Sequence, residues 1–300
     1  MIGNSHAVSY IVPATIDYQW VYGFMITISM VAQIFSGLLI ALQYNTVNLD
    51  VGMTGDLSWM SNLLLMFDLL DGNLLRYIHA SMPTVIFGYM YAHIWRAVFM
   101  GSLGHNWEAG YSGILMLVLL YAIAFLGYTI VYGNMSHWAA TVILNLFDWI
   151  PGFVDGFIGA YGVGSVAIQR MFVLHYLLGL VILGIIIIHL LVLHDTGSSF
   201  IIETDADNHT FPITASKDIA YASLSIMTIV LVMSLGWITV AAADNSIPAS
   251  AVTTPSVIMP EWYLLSVYGA LRAVPAAVVG LYVAFYIIAT TVSMTENNNN

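Results

Sequence analysis

Two apolar stretches of this sequence each carry a pair of histidines fourteen residues apart, and this spacing strongly constrains the fold. The pairs are His79 with His93 and His175 with His189. Fourteen residues of α-helix rise about 21 Å and nearly complete four turns, so both imidazoles of a pair lie on one helix face. That rise is about two-thirds of the hydrocarbon core of a bilayer. The repeat predicts two membrane helices with matched histidine ligands, and therefore two haems.

The composition is typical of a polytopic membrane protein. Only 7% of the 300 residues are charged, whereas soluble domains carry about 25%. Five Lys and Arg against sixteen Asp and Glu give a net charge of −11. This argues against binding to nucleic acid, which requires a basic surface. The chain has no cysteine, which excludes disulfides, thiolate-held iron–sulfur clusters and haem attached through thioether bonds.

Apolar segments of spanning length predict six transmembrane helices. Residues 133–164 are too mixed to span, and we expect them at the membrane interface. The predicted fold class is all-α transmembrane, with a di-haem four-helix bundle in residues 1–200 and two further helices in residues 201–300. Because alternate spans run in the same direction, the first histidines of the two pairs should share one depth and the second histidines the other. The predicted spans are about 21–43, 73–100, 111–132, 170–194, 219–240 and 276–294.

Glycines repeat at the same period as the histidines, on the first and third spans. Gly23 and Gly37 are fourteen residues apart, as are Gly113 and Gly127. A glycine inside a helix costs about 1 kcal/mol relative to alanine, so four at one period require an explanation. Close helix packing is one explanation, because small residues let backbones approach each other in lipid. The matched period favours the other, which is room for a flat macrocycle.

Two arginines lie one turn from histidines. Arg76 precedes His79 by three residues and Arg96 follows His93 by three, so each shares a helix face with its histidine. We interpret both as partners of haem propionates, the alternative being cations that extend to the membrane interface. A single intramembrane histidine could also be hydrogen-bonded to a neighbouring helix, but two matched pairs favour ligation. Four further histidines lie in loops or at interfaces and are expected to be solvated: His6, His105, His137 and His209.

Several motifs match a known family. They are Arg76-Tyr77-Ile78-His79-Ala80, Gly127-Tyr128 with residues 135–141, residues 189–198, Lys217-Asp218, and Pro260-Glu261-Trp262-Tyr263 with Tyr268 and Arg272. Over nearly its whole length the sequence resembles the cytochrome b family of the cytochrome bc1 complex, which is respiratory complex III. The equal histidine spacings and the absence of cysteine are unlike the related photosynthetic b6 proteins.

The resemblance implies two non-covalent b-type haems and two quinone sites. His79 and His175 would ligate the low-potential haem, and His93 and His189 the high-potential haem. At the quinol oxidation site, Glu261 would accept a proton. The other residues assigned by resemblance are Tyr128, Tyr263 and Tyr268 at the oxidation site, and His194, Ser198, Lys217 and Asp218 at the quinone reduction site.

The implied activity is quinol–cytochrome c reduction. Ubiquinol would give one electron to a Rieske iron–sulfur protein and the other through both haems to ubiquinone, with translocation of protons. The implied partners are that iron–sulfur protein, cytochrome c1, other complex III subunits and a second copy of the complex. With no targeting peptide evident, the family indicates the mitochondrial inner membrane, and a bacterial plasma membrane is the alternative.

The sequence also departs from the family pattern. Val131-Tyr132-Gly133-Asn134 replaces the usual Pro-Trp-Gly-Gln, and Ala139 replaces a glycine, so we expect a crowded oxidation pocket. The family usually has eight spans, against six here. Two other functions remain open: a different di-haem cytochrome, which would not require the motif around Glu261, and a haem-free transporter that uses intramembrane histidines.

Overall fold

The computed structural model describes residues 11–13, 17–46, 57–198, 207–209, 213–234 and 243–273. Regular structure in this part is helical except for one antiparallel pair of three-residue strands, which confirms the all-α class. The strands are β1 (Ile11–Pro13) and β2 (Asp207–His209). The helices are α1 (Tyr22–Ala41), α2 (Leu57–Phe67), α3 (Gly72–Phe99), α4 (Ser102–His105), α5 (Trp107–Thr129), α6 (Asn134–Asn145), α7 (Phe153–Ile158), α8 (Ser165–Thr196), α9 (Ala215–Ser234) and α10 (Leu265–Ala273).

Three of the described helices are long and apolar enough to cross a membrane. These segments are Tyr18–Ala41, Trp107–Thr129 and Ser165–Asp195, with mean hydropathies of 2.0, 2.1 and 2.9. They correspond to the predicted first, third and fourth spans. The second predicted span is the 28-residue helix α3, and the fifth begins in α9. The end of the fifth span and all of the sixth lie outside the described residues.

Helix boundaries follow local chemistry. The Asp17 carboxylate accepts a hydrogen bond from the Gln19 amide at 2.8 Å, and so caps the 3-10 turn Tyr18–Val21 that leads into α1. The Asn106 side chain accepts from the Ala109 amide at 3.0 Å in the first turn of α5. Helix α3 lies between two residues with left-handed backbone, Asp71 (φ 58°) and Gly101 (φ 68°), which turn the chain sharply at its two ends.

The chain divides into two compact units. The first comprises Met1–Asn45, Met60–Tyr128 and Phe172–Ala242. In it α1 packs along α3, and Phe87 of α3 is completely buried. Val21, Met25 and Ala222 form a buried cluster that joins the start of α1 to α9. This unit contains the helix segments that carry the two histidine pairs.

The second unit comprises Thr46–Trp59, Thr129–Met171 and Ala243–Asn300. Its helix α6 is hydrogen-bonded to the segment that leads towards Glu261. The Asn245 side-chain oxygen accepts from both the amide and the hydroxyl of Ser136 at 2.9 Å. The Trp138 indole donates to the Ser250 carbonyl at 3.0 Å. These bonds hold the interfacial helix against a chain segment more than a hundred residues away.

His137 is not solvated, and that expectation was wrong. Its side chain is 8% exposed and lies edge-on to the rings of Tyr132 and Trp138. Tyr132 has a left-handed backbone (φ 54°), and its hydroxyl donates to the Val163 carbonyl at 2.9 Å. This turn closes over the start of α6 and covers the imidazole. Burial consequently lowers the pKa of His137, because desolvation disfavours the charged ring.

Candidate functional site

The first histidine pair lies between α3 and α8. The ring centres of His79 and His175 are 6.2 Å apart and the ring planes are nearly perpendicular, at 84°. Metal–imidazole bonds are about 2 Å long, so two rings on opposite sides of one metal ion have centres roughly 6 Å apart. The separation therefore suits two imidazoles that would hold a single metal ion between them.

Both rings of this pair are fixed through Nδ1. His79 Nδ1 lies 3.0 Å from the Gln33 carbonyl, and His175 Nδ1 lies 2.8 Å from the Ile123 carbonyl. A carbonyl oxygen can only accept, so each Nδ1 carries the proton and each Nε2 keeps its lone pair for a metal. The Gln33 side-chain amide donates to the His79 carbonyl at 3.0 Å and lies 3.4 Å from Nε2.

The second histidine pair is His93 on α3 and His189 on α8. His189 Nδ1 lies 2.8 Å from the Ser112 hydroxyl of α5. His93 Nδ1 is buried and has no hydrogen-bond partner among the described residues. The two members of this pair are therefore held differently.

Each of the four glycines at the fourteen-residue period faces one of these histidines. A Cβ built on Gly37 would lie 2.8 Å from His79 Cε1, and one built on Gly127 would lie 2.6 Å from His175 Cε1. No side-chain contact between carbon atoms is that close, so neither position admits a larger residue without movement of the imidazole.

The glycines at the other depth leave more room. A Cβ on Gly23 would lie 3.4 Å from His93 Cε1, and one on Gly113 would lie 3.5 Å from His189 Cε1. The structure therefore places all four glycines against all four histidines, with closer approach at the His79 depth. The sequence pattern predicted that these glycines belong to the histidine site, but it did not predict that the glycines facing His79 and His175 lie closer to the rings than the other two.

The guanidinium groups of the two arginines beside the histidines have N–H donors that are unpaired among the described residues or bound to a weak acceptor. Arg96 lies with its guanidinium 5.1 Å from the centre of the Trp20 ring, and its Nε and Nη1 are buried without a hydrogen-bond partner among the described residues. Arg76 donates to the thioether sulfur of Met66, a weak acceptor. Buried donors of this kind suit an anionic group, and a haem propionate is one.

An aromatic group that sequence reasoning missed lies between the two histidine positions of α3. Phe87 stacks on Tyr121 of α5 with ring centres 5.4 Å apart, and the Tyr91 and Tyr121 hydroxyls are 2.9 Å apart. The hydrogen bond satisfies both phenols in an apolar interior. No local motif marks this group, because its members come from two helices and lie at no common spacing.

The segment around Glu261 forms the other candidate site. The short 3-10 helix Trp262–Leu264 leads into α10, and Tyr263 is buried at 6% exposure. Glu261 is partly buried, which raises the pKa of its carboxyl by desolvation. Tyr268 donates from its hydroxyl to the Ile258 carbonyl at 3.5 Å. An open cavity of about 500 Å³ adjoins this segment, lined by Met259, Leu265, Tyr268, Gly269, Arg272 and Ala273.

The remaining predicted site residues lie near the ends of the long helices. Tyr128 is partly buried in the last turn of α5, and Ala139 is buried in α6. His194 is exposed in the last turn of α8, and Ser198 follows it. Lys217 and Asp218 are in the first turn of α9. Their grouping into quinone pockets stays a prediction.

Comparisons with known proteins agree with this arrangement. A family model described as cytochrome b/b6/petB matches residues 7–197, and one described as cytochrome b(C-terminal)/b6/petD matches residues 248–299. Cytochrome b of Mycosarcoma maydis is 34% identical over 292 residues, which cover 95% of this chain and 72% of that protein. Cytochrome b of Saccharomyces cerevisiae is 34% identical, with 94% and 74% covered.

A solved structure also has this fold. A chain of a structure described as a hyperthermophilic respiratory complex III superposes with a TM-score of 0.79, covering 91% of this chain and 74% of that one. The sequences are 23% identical, so this match concerns the fold alone. The arrangement of helices around the histidine pairs therefore recurs in a chain of low sequence identity.

Proposed function

This chain belongs to the cytochrome b family, and on that premise we propose that it is the di-haem membrane subunit of a quinol–cytochrome c oxidoreductase. The observation that carries the proposal is the pairing of four helix glycines with four histidines. The anchored Nδ1 atoms of His79 and His175 add to it, because they leave the lone pair on each Nε2. At His79, iron would displace the Gln33 side-chain amide, which lies 3.4 Å from Nε2.

We assign one b-type haem to His79 and His175 and another to His93 and His189. The buried guanidinium of Arg96 would bind a propionate of the second haem, and Arg76 one of the first. Two histidine ligands leave no open position on iron, so such haems carry single electrons across the membrane and do not activate oxygen. The protein contributes fixed ligand orientation, exclusion of water and charge balance.

Quinol oxidation is assigned to the segment around Glu261. Desolvation raises the pKa of the Glu261 carboxyl, which makes its carboxylate a stronger proton acceptor. Tyr128, Tyr263 and Tyr268 would line the pocket, and the cavity beside Tyr268 offers room for part of a quinone ring. The first electron would leave to a Rieske iron–sulfur protein and then to cytochrome c1, both partners in the complex.

Quinone reduction is assigned to residues in the terminal turns of α8 and α9 and just after α8. There His194 and Asp218 would deliver protons to ubiquinone, Ser198 would bind it, and Lys217 would assist proton entry from water. We place the protein in the mitochondrial inner membrane as a multi-pass subunit of a dimeric complex. Membrane-length helices and the fungal relatives support this placement.

A reduced-minus-oxidised spectrum with a haem count tests the haem assignment. We expect two b-type haems per wild-type chain, and one in each of His175→Leu and His189→Leu, because each variant removes a ligand from one pair. His105→Leu, outside the long helices, serves as the control and should keep both. A wild-type chain without a b-type α-band would refute the assignment, and a haem-free transporter would then be the remaining function.

Purification of the assembled complex separates the two haem-based functions. A quinol–cytochrome c oxidoreductase subunit should co-purify with an iron–sulfur protein and a c-type cytochrome. Retention of both haems with neither partner would instead favour a different di-haem cytochrome. The Pro260-Glu261-Trp262-Tyr263 motif supports the first outcome, because a simple electron shuttle does not require it.

A further inference from the structure

We propose that Ser36 and Ser112 are positioning residues, each of which holds one histidine ligand of one haem and lowers the reduction potential of that haem. The inference rests on the proposed function, because it takes His79 and His189 as haem ligands. Two buried hydroxyl groups would thereby adjust the reduction potentials of the two haems, which determine the driving force for electron transfer across the membrane.

Ser36 is 3% exposed, and its hydroxyl lies 3.1 Å from His79 Nδ1. The same oxygen lies 2.9 Å from the Ala32 carbonyl and 3.0 Å from the Gln33 carbonyl of its own helix. A hydroxyl has one proton, and only a carbonyl can be its acceptor here, because Nδ1 already carries a proton for the Gln33 carbonyl. The serine lone pair therefore shares the Nδ1–H proton with the Gln33 carbonyl in a three-centre hydrogen bond.

Ser112 repeats this arrangement on α5. It is 8% exposed, and its hydroxyl lies 2.8 Å from His189 Nδ1. It also lies 2.9 Å from the Glu108 carbonyl and 3.1 Å from the Ala109 carbonyl. If Nε2 of His189 binds iron, as proposed, Nδ1 carries the ring proton, so the serine oxygen accepts from Nδ1–H and the hydroxyl proton goes to a helix carbonyl. The imidazole is held in the tautomer that leaves Nε2 for iron.

The other two ligands have no such support. Ser36 and Ser112 each directly precede the glycine that faces their histidine. At the corresponding position, the glycine that faces His175 is preceded by Leu126, and the glycine that faces His93 is preceded by Tyr22. His175 is anchored by the Ile123 carbonyl, and His93 Nδ1 has no partner among the described residues. Each haem would therefore have one ligand supported by a serine. For one haem this ligand is His79 on α3, and for the other it is His189 on α8.

The effect on potential follows from ligand basicity. A hydrogen bond accepted from Nδ1–H increases the electron density that the imidazole supplies through Nε2. Greater donation stabilises ferric over ferrous iron and lowers the reduction potential. Loss of the serine hydroxyl should thus raise the potential, most clearly for the haem of His189, whose contact with serine is the shorter one.

The test is the reduction potential of each haem, measured optically in the assembled complex in membranes. Ser36→Ala should raise the potential of one haem only, and Ser112→Ala that of the other only. Ser36→Thr and Ser112→Thr keep a hydroxyl and should restore values near wild type. Ser81→Ala is the matched control, because Ser81 is fully buried on α3, two residues from His79, and its hydroxyl has no partner among the described residues.

Two haems with unchanged potentials in both alanine variants would overturn the inference, as would equal shifts in the Ser81→Ala control. A uniform loss of both haems would mean that the serines act only in folding, which also overturns it. If wild-type protein binds no b-type haem, the proposed function itself fails, and the spectrum shows this before any potential is measured.

Discussion

At the scale of single residues, the four helix glycines should not be equivalent. Alanine at Gly37 or Gly127 places a Cβ at 2.8 or 2.6 Å from an imidazole carbon, whereas alanine at Gly23 or Gly113 places it at 3.4 or 3.5 Å. The close rings cannot retreat without breaking their Nδ1 hydrogen bonds. We therefore expect Gly37→Ala and Gly127→Ala to lose most of the haem held by His79, and the other two variants to keep theirs largely intact.

The haem content of each purified variant checks this prediction. Gly179→Ala is the control, since it lies on the same helix as His175 and a Cβ there meets no atom within 4 Å. It should keep both haems and gain about 0.5–1 kcal/mol of helix stability. Equal haem loss in all four facing-glycine variants would contradict the role given to the Cβ distances.

The sequence predicted that the four glycines and the four histidines belong to one site, with the glycines making room for a macrocycle, and it missed other contacts for a physical reason. The glycine–histidine contacts follow from a shared period, because helices with equal repeats meet at equal intervals. The contacts of Ser36, Ser112 and Tyr121 depend on how helices rotate about their axes, which the spacing does not determine. His137 was wrongly expected in solvent because Tyr132 and Val163, which cover it, lie in the separate turns before α6 and before α8.

At the scale of elements, apolar runs located the long helices but not their ends. The predicted third span was 111–132, whereas α5 is Trp107–Thr129, since Asn106 starts the helix before the apolar run and Tyr132 turns the chain after it. Helix α6 is bound at its first turn by Asn245, a partner 109 residues away. Pairing at that distance leaves no local sequence signal.

The most apolar of these helices, α8, supports a prediction about its environment. In the spanning window only 11% of its residues are buried by protein, at a mean hydropathy of 2.9, so lipid or partner helices must cover the rest. A lysine near the bilayer centre costs about 2.5–3.5 kcal/mol by insertion measurements. Val181, near the middle of α8, is 43% exposed, and Leu191, near its end, is 61% exposed.

We expect Val181→Lys to reduce the amount of protein inserted in membranes strongly, and Leu191→Lys to reduce it little, because a lysine near the helix end can extend to water. Val181→Leu should behave as wild type. Membrane fractions extracted with alkaline carbonate provide the measurement. Equal insertion of the two lysine variants would show that the outer face of α8 is not in the bilayer core.

At the scale of the whole molecule, charged residues are few, with sixteen acidic and five basic side chains in 300 residues, and Arg76 and Arg96 lie within α3. The proposed electron path and the proposed proton reactions use residues on different elements. The histidine pairs occupy the interiors of α3 and α8, whereas Glu261 lies in a loop of the second unit, and His194 and Asp218 lie in terminal turns of the first. Under the proposed function, proton exchange with water would occur at Glu261, His194 and Asp218, and its pH dependence should appear in turnover of the whole complex.

Glu261 provides the sharpest test of that separation. Burial raises the pKa of its carboxyl above the ordinary value of 4.5. Below the raised pKa the carboxyl is already protonated and cannot accept a proton from quinol, so the rate of quinol oxidation should fall as the pH falls through this pKa.

Glu261→Gln should lower the rate of quinol oxidation roughly 10²-fold or more and remove this acidic limb of the pH profile. Glu108→Gln, at an exposed position of α5, should preserve both the rate and the profile. Haem spectra identical in the two variants would show that the bundle is intact. An unchanged acidic limb in Glu261→Gln would assign proton acceptance to another group.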